Sequence, residues 1–170
     1  MSVNFKIFKE LIEELEKLKL FYAVFGGFAL DGKRGRLTRK HSDVDVFCRG
    51  KDYGKLKSAL LKLNYRLLYE INDLKAFQKP GLKIDLCLLK KADNYCTCKL
   101  RYVKLLIPLK LLRNIQRVSI GNCTFNIVPD EILKKDALRS RYKEDREYGK
   151  KIKVNKDLFN QIICEKLQSA

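Results

Sequence analysis

The sequence predicts an α/β fold of the α+β kind, in which a mixed sheet is followed by a helical C-terminus. Short apolar runs typical of strands are interspersed with helical patterns over residues 5–128. Gly121-Asn122 separates two alternating runs as a two-residue hairpin turn does. From Pro129 onwards only helical patterns remain. This order is typical of layered domains, so we expect a single domain over 1–170 with a helical tail from about residue 129.

The first elements follow from apolar spacing. Helical spacing over 5–19 predicts an amphipathic helix with Asn4 as its N-cap. The run FYAVF at 21–25 predicts a buried strand, which stops at Gly26-Gly27, where a second helix would open. The basic stretch DGKRGRLTRK, 31–40, is expected to be a loop that leads to a strand in KHSDVDVFC, 40–48.

The remaining elements alternate in the same way. A helix is predicted over 52–63 with Asp52 as its cap, and strands are predicted in YRLLYEI, LKAFQ and GLKIDLCLL. Residues 90–112 fit no pattern well enough to assign an element. The two segments PDEILKKDALRSRYKEDREYGKKI and KDLFNQIICEKLQ are both expected to be helical.

The charge balance points to anionic partners. The chain carries 37 Lys and Arg against 20 Asp and Glu, a formal net charge of +17. Such an excess favours nucleotide phosphates, nucleic acid or an acidic membrane surface. The alternative is that most of these lysines only solvate helix faces.

The cysteines and the N-terminus indicate a reducing compartment. Cys48 and Cys87 fall in apolar runs, and the pair Cys96 and Cys98 lacks the second ligand pair of a zinc site. We expect these thiols to be reduced and without metal. The N-terminus has acids throughout and no apolar signal core, and no run approaches the ~20 apolar residues that span a bilayer. A cytoplasmic protein without a membrane partner is expected.

Three acids in apolar strands are the strongest functional signal. Asp43 and Asp45 lie at i and i+2 of one strand, so both point to one face, about 7 Å apart along it. Two like charges side by side need a compensating cation, and two carboxylates at this spacing can converge on one Mg²⁺ or hold two metal ions roughly 3.5 to 4 Å apart. Asp85 is the one acid in the run LKIDLCLL and could be a third ligand. The alternative is that Asp85 pairs with a Lys or Arg.

Gly26-Gly27 add a phosphate-binding feature. Glycines at the start of a helix let backbone N–H groups approach a phosphate at the positive end of the helix dipole. Many strand-to-helix turns use glycine for steric reasons only, so this feature gains weight from the acids downstream.

These residues together resemble a known family. The stretch GGFALDGKRGRLTRKHSDVDV is similar to the signature of the nucleotidyltransferase superfamily that includes DNA polymerase beta, and most closely to its aminoglycoside and lincosamide nucleotidyltransferase branch. The matching residues, in order, are Gly26, Gly27, Ala29, Leu30, Asp31, Gly35, Arg36, Thr38, Arg39, His41, Ser42, Asp43 and Asp45. Asp85 resembles the third carboxylate of the family, and ILKKDALRSRYKEDREY resembles its late basic helical segment. Members of this branch often carry a longer C-terminal region that shapes the acceptor pocket. The C-terminal region of this chain is short and basic, which departs from that pattern.

The resemblance implies a nucleotidyltransferase fold, with the three acids on a twisted mixed sheet and helices on its other face. It also implies transfer of a nucleoside monophosphate from a triphosphate, ATP above all, to a hydroxyl group. Asp43 and Asp45 would hold Mg²⁺, and Asp85 would complete the metal site or act as general base. The nucleotide would be bound by Gly26, Gly27, Arg39, His41, Ser42 and Lys135. His41 could instead only orient the loop before Asp43.

Three functions remain open at this stage. A small-molecule hydroxyl is the expected acceptor. A nucleic-acid acceptor, as in enzymes that add nucleotides to the end of tRNA, suits the basic chain. However, 170 residues leave little room for the RNA-binding domains that such enzymes carry. A noncatalytic or antitoxin-like binding protein could keep the fold, but the three intact acids argue against it.

Overall fold

The structure, a computed structural model, describes residues 3–167 of the chain. Within that range the helices are α1 (Val3–Lys17), α2 (Gly26–Arg34), α3 (Tyr53–Lys62), α4 (Asp130–Ala137), α5 (Lys143–Lys151) and α6 (Lys156–Asn160). The strands are β1 (Tyr22–Phe25), β2 (Asp43–Arg49), β3 (Arg66–Ile71), β4 (Leu74–Lys79), β5 (Leu82–Ala92), β6 (Tyr95–Lys99), β7 (Val103–Pro108), β8 (Gln116–Ile120), β9 (Cys123–Ile127) and β10 (Ile163–Lys166). The predicted α+β class is confirmed.

The strands form one mixed sheet in the order β10-β7-β6-β5-β2-β1-β9-β8, with the β3-β4 hairpin added to β5 through β4. Strand β2 lies at its centre, antiparallel to β1 and parallel to β5. The long strand β5 pairs with β2 and β4 along its first part and with β6 through Lys90–Ala92. Strand β9 runs parallel to β1. The central strand β2 is therefore hydrogen-bonded to a neighbouring strand along both of its edges.

Aromatic rings join α1 and α2 to the sheet. The ring of Phe8 on α1 stacks on that of Phe28 on α2, with 4.1 Å between centroids, and meets the ring of Phe125 on β9 edge-on at 4.9 Å. All three side chains are buried. Such aromatic contacts add to the burial of apolar area, so they fix α2, and with it the start of the helix at Gly26, against the sheet.

Two local expectations are corrected, and one unassigned stretch is now described. Residues 90–112, which had no assignment, contain the end of β5 and strands β6 and β7. The final segment is not helical throughout: α6 is short, and β10 pairs antiparallel with β7, whose edge would otherwise be open. Asn4 is not an N-cap, because it lies inside α1, is buried, and donates a hydrogen bond from Nδ2 to the carbonyl oxygen of His41.

Within residues 3–167, every helix is too short or too polar to span a bilayer.

Candidate active site

Asp43 and Asp45 lie on the same face of β2, as strand alternation predicts. Both are half-buried, whereas Val44 and Val46 between and after them are buried on the other face. In the central sheet Asp45 is flanked by Phe25 of β1 on one side. On the other side its partner is Asp85 of β5. The sheet thus sets all three acids side by side.

Gly26 brings the start of α2 against Asp45. Its φ of +71° is in the left-handed region, and an added Cβ would lie 2.5 Å from Asp45 Oδ2. Any side chain here would therefore be both strained and in collision with the carboxylate. The glycine is required for this close approach of backbone and acid.

A fourth acid, Asp136 of α4, completes the group. Its carboxylate accepts a hydrogen bond from the backbone N–H of Gly26. Burial raises the pKa of Asp136 to about 6, despite that hydrogen bond. Burial also raises the pKa of Asp45 well above its ordinary value, and the nearby charges of Asp136 and Asp85 raise it further. A cation bound beside these carboxylates would lower their pKa values and favour their ionised form.

Asp85 already has a cation beside it. Lys83 Nζ lies 2.6 Å from Asp85 Oδ2, and the Tyr69 hydroxyl donates a weak hydrogen bond to Oδ1 at 3.4 Å. Burial lowers the pKa of Lys83, but its bond to Asp85 outweighs burial and the pKa lies above its ordinary value. The ammonium is therefore charged at neutral pH. The pairing that the sequence analysis set against a metal role for Asp85 is present.

A cleft of about 190 Å³ opens beside these groups. Carboxylates from β2, α4 and α5 line it, together with arginines from the loop before β2 and from the segment between α4 and α5. The lining residues are Gly26, Gly27, Leu30, Arg39, Asp43, Asp45, Asp136, Arg139, Ser140, Arg141, Tyr142 and Asp145. Asp85 is beside Asp45 in the sheet but is not among them. Acids next to arginines suit a metal-bound phosphate chain.

Arg39 is held at the cleft by contacts from the helical tail. Its Nη2 donates to Asp145 Oδ2 at 3.0 Å, and its guanidinium lies 3.8 Å from the ring centroid of Tyr142. Asp145 is buried and also accepts from the Ser140 hydroxyl at 3.1 Å. The guanidinium is thereby pre-positioned for a further ligand.

His41 lies behind the cleft. It is buried, its Nε2 is 2.7 Å from Asp31 Oδ2, and its Nδ1 is 3.0 Å from Arg39 Nη1. Since the guanidinium only donates, Nδ1 accepts and Nε2 donates to Asp31. Burial opposes ionisation of Asp31, but hydrogen bonds from His41 and Thr38 hold its pKa below the ordinary value. These contacts match the loop-orienting role considered for His41.

Gly27 allows this arrangement. A Cβ on Gly27 would lie 2.5 Å from His41 Nδ1 and 2.8 Å from Arg39 Nη2. The second glycine of the pair therefore makes room for the histidine and the arginine, while its backbone still lines the cleft.

Two residues expected to bind nucleotide lie elsewhere. The Lys135 ammonium donates to the carbonyl oxygens of Phe159 at 3.3 Å and Ile162 at 2.5 Å, so it connects α4 to α6 and the segment after α6. It is not among the groups that line the cleft. Ser42 is exposed, and its carbonyl oxygen accepts from the Lys83 N–H at 2.9 Å. The structure places Lys135 away from the cleft, because its neighbour Asp136 takes the side of α4 that faces Gly26.

Six cleft residues of the helical tail had no predicted site role: Asp136, Arg139, Ser140, Arg141, Tyr142 and Asp145. The segment that contains them was recognised as the late basic part of the family pattern. The available signal was helical spacing, since Asp136 and Arg139 are three residues apart and share a face. The sequence does not show which face of α4 meets the sheet.

The donor set fits Mg²⁺ only with help from a substrate. Within residues 3–167, no three His, Cys, Asp or Glu side chains lie close enough together to hold a metal ion by themselves. Mg²⁺ is usually held by one or two carboxylates together with substrate phosphates and water. Asp43 and Asp45 supply that pair. Cys96 and Cys98 are buried on one face of β6 and belong to the core.

The profile of the aminoglycoside-2''-adenylyltransferase family matches residues 7–94, slightly more than half of the chain. Among curated proteins, 2''-aminoglycoside nucleotidyltransferases of Escherichia coli and of Klebsiella pneumoniae are each 38% identical to the chain over 47 residues. That stretch is 28% of this chain and 27% of each relative, so the match spans about a quarter of the relatives' length.

Solved structures resemble the chain over most of its length. The lincosamide antibiotic adenylyltransferase LnuA, bound to lincomycin, aligns with a TM-score of 0.69 and 15% identity over 90% of this chain and 100% of its own. ANT(2")-Ia in complex with adenylyl-2"-tobramycin aligns with a TM-score of 0.65 and 18% identity over 85% of this chain and 86% of its own. At such identities the likeness shows the nucleotidyltransferase fold.

Proposed function

The chain belongs to the aminoglycoside-2''-adenylyltransferase family, and we propose that it transfers a nucleotidyl group from a nucleoside triphosphate to a hydroxyl group of a small molecule. ATP is the proposed donor, and an antibiotic of the aminoglycoside or lincosamide class is the proposed acceptor. The observation that carries the proposal is the placement of Asp43 and Asp45 on one strand face at a cleft that arginines also line.

The triphosphate is bound by the three arginines of the cleft, Arg39, Arg139 and Arg141. Arg39, held by Asp145 and Tyr142, presents a guanidinium that needs little ordering on binding. Arg139 and Arg141 are exposed beside it, and each would exchange one contact, with Cys164 Sγ at 2.8 Å and the Tyr142 hydroxyl at 2.9 Å, for the phosphate chain. Charge-assisted bonds from arginine to phosphate are about twice as strong as neutral ones, so these three residues supply most of the affinity.

Asp43 and Asp45 hold Mg²⁺ in this proposal. The metal, when bound, neutralises charge on the triphosphate and on the transition state. The two carboxylates also orient the donor, because their position on the central strand is rigid. The raised pKa of Asp45 supports the assignment, since its cause is a local excess of negative charge that a divalent cation would remove.

Asp85 takes the proton of the acceptor hydroxyl. The hydroxyl oxygen forms a bond to the α-phosphorus, the bond from that phosphorus to the pyrophosphate oxygen breaks, and the proton passes to a carboxylate oxygen of Asp85. Asp43 and Asp45 suffice for one nucleotide-bound Mg²⁺, which leaves Asp85 for this role. Lys83 has to give up its contact with Oδ2, or the proton has to go to Oδ1.

A panel of acceptors tests the proposal. The protein is incubated with Mg²⁺, labelled ATP or another nucleoside triphosphate, and aminoglycosides or lincosamides, and the acceptor is weighed by mass spectrometry. We expect an acceptor that gains one nucleotidyl group with release of pyrophosphate. The variant with Asp43→Asn and Asp45→Asn serves as control and should transfer none. A protein that binds Mg²⁺ and ATP yet modifies no acceptor would favour a noncatalytic role.

The net charge of +17 favours a second candidate, transfer to the end of a nucleic acid. The same labelled triphosphate incubated with RNA distinguishes the two. Extension of the RNA at a rate above that of any small acceptor would replace the first candidate.

A further inference from the structure

A second cavity, of about 920 Å³, lies at the opposite end of β2 from the acids. Arg49 at the end of β2 lines it, four residues after Asp45, or about 13 Å along the strand. Phe47, whose ring stacks on that of Phe25 with centroids 4.4 Å apart, lies between Asp45 and Arg49 on the strand. This cavity is therefore separate from the cleft that contains Asp43 and Asp45.

The wall of the cavity is apolar. Leucine side chains from β5 and from the segment after β7 line it together with Phe21: Leu88, Leu89, Leu109 and Leu112. Its volume lies within the range of small-molecule sites, roughly 300 to 1,000 Å³. An apolar wall of this size would stabilise a ligand with an apolar body by removing its surface from water.

The rim of the cavity is basic. Six of the residues that line it are cationic: Arg49, Lys51, Lys75, Lys90, Lys91 and Arg113. Asp73 is the one acid among them, and Lys90 at 2.6 Å and the backbone N–H of Lys99 at 2.8 Å already engage its carboxylate. The local charge is therefore strongly positive.

Several of these cations lack an acidic partner. Within residues 3–167, no carboxylate lies within 4.0 Å of the charged groups of Arg49, Lys51, Lys91 or Arg113. The Arg49 guanidinium instead lies 5.0 Å from the ring centroid of Phe21. A cation over an aromatic face beside an apolar wall retains donors for a ligand anion.

We propose that this cavity is a second binding site, which takes an amphipathic monoanion: a carboxylate, sulfate or sulfonate on an alkyl or aromatic body. The apolar body lies against the leucines, and the anionic group meets Arg49 and Lys91 at the rim. Charge complementarity excludes a polycation such as an aminoglycoside, and the apolar wall disfavours a bare triphosphate. The site does not depend on the proposed transferase activity.

Fluorescence of 1-anilinonaphthalene-8-sulfonate, titrated into the full chain, tests the site. Octanoate, octan-1-ol and octylamine compete as ligands of matched length and different charge. We expect one probe molecule per chain, displaced by octanoate at least about tenfold more effectively than by octan-1-ol, since a charged hydrogen bond contributes roughly that factor. Octylamine should not compete.

Two variants locate the site. Arg49→Gln with Lys91→Gln should weaken octanoate binding about tenfold or more. Lys62→Gln with Lys151→Gln removes the same charge from exposed positions outside the cavity and should not. Leu112→Trp, at a half-buried position, fills the apolar space of the cavity and leaves all of its cationic residues unchanged. It should abolish octanoate binding. The inference is overturned if both double variants bind octanoate equally, if octylamine competes as well as octanoate, or if several probe molecules bind.

Discussion

Lys83 Nζ lies 2.6 Å from Asp85 Oδ2, so the third carboxylate of the sheet is paired with a cation two residues earlier on its own strand. Residues at i and i+2 of a strand share a face, which makes this pair local. A buried acid without such a partner would cost several kcal/mol. The pair therefore explains how Asp85 is tolerated beside Asp45.

Asp85→Asn and Lys83→Met separate catalysis from pairing. If Asp85 is the general base, Asp85→Asn should lower the single-turnover rate by about 10² to 10⁴-fold and leave Mg²⁺-triphosphate affinity nearly unchanged. Lys83→Met removes the pair but keeps the base, and should retain most of the rate. If Asp85→Asn instead weakens the affinity for Mg²⁺-triphosphate, Asp85 is a metal ligand. If both variants lower the rate equally and only slightly, Asp85 and Lys83 form a structural ion pair without a part in catalysis.

Asp43→Asn with Asp45→Asn should remove the stabilisation by Mg²⁺ and ATP. A ligand of the native state at a hundredfold excess over its dissociation constant adds about 2.7 kcal/mol to the free energy of unfolding. We expect a rise in the melting temperature of the unmodified protein and none in the variant.

The same variant should melt at a higher temperature than the unmodified protein in EDTA, because it removes the Asp45 carboxylate, whose ionisation is opposed by burial and by the nearby charges of Asp136, Asp85 and Asp43. An unchanged ligand-induced shift would show that the metal binds elsewhere.

The stability of the metal-free protein should fall as pH rises through the pKa of Asp136. Burial raises that pKa from 3.8 to about 6, so the folded state holds the proton more tightly than the unfolded state does. The contribution is complete below pH 3.8 and is lost as pH rises through about 6. Asp136→Asn should therefore reduce the difference in the free energy of unfolding between about pH 5 and about pH 7.5, measured with urea in EDTA.

Asp93→Asn is the matched control for this prediction. Asp93 is exposed in the turn between β5 and β6, and its φ of +50° suits asparagine. The Asp93→Asn variant should show the same pH dependence of the free energy of unfolding as the unmodified protein. A slope that Asp136→Asn does not alter would mean that Asp136 is not the titrating group.

Gly27→Ala should destabilise the fold and lower the rate. The new Cβ would lie 2.5 Å from His41 Nδ1, and overpacking of this kind costs about 1 to 3 kcal/mol. Displacement of His41 would also release Arg39 from its position at the cleft. Gly54→Ala, at a helical site with open space around the Cβ, should instead stabilise by up to ~1 kcal/mol. Chemical denaturation and ATP turnover check both, and equal behaviour of the two variants would contradict the contact.

Nucleic acid should bind weakly and without sequence preference. Each phosphate contact releases counterions, so a true nucleic-acid site gives an affinity that falls steeply with salt. We expect binding of a labelled RNA in dilute buffer that is lost at moderate salt. Tight binding that persists there would support the nucleic-acid acceptor.

Strand periodicity alone made part of the site predictable. Asp43 and Asp45 had to share a face because side chains alternate along any strand, and the two glycines followed from a strand that turns directly into a helix. The resemblance of 26–45 to a family signature identified the same residues. All of these positions lie within 20 residues of each other, where local geometry decides.

Only the tertiary structure brought the helical tail to these residues. The parallel pairing of Val24 with Ile127 sets the start of α4 beside Gly26, across about 100 residues of chain. Whether Lys135 or Asp136 then faces the cleft depends on the rotation of α4, which packing against the sheet determines. The pairing of β10 with β7 was likewise decided by an open strand edge, since the composition of 156–168 suited a helix. Long-range packing thus decided the rotation of α4 and the choice between helix and strand at β10, which the local sequence did not determine.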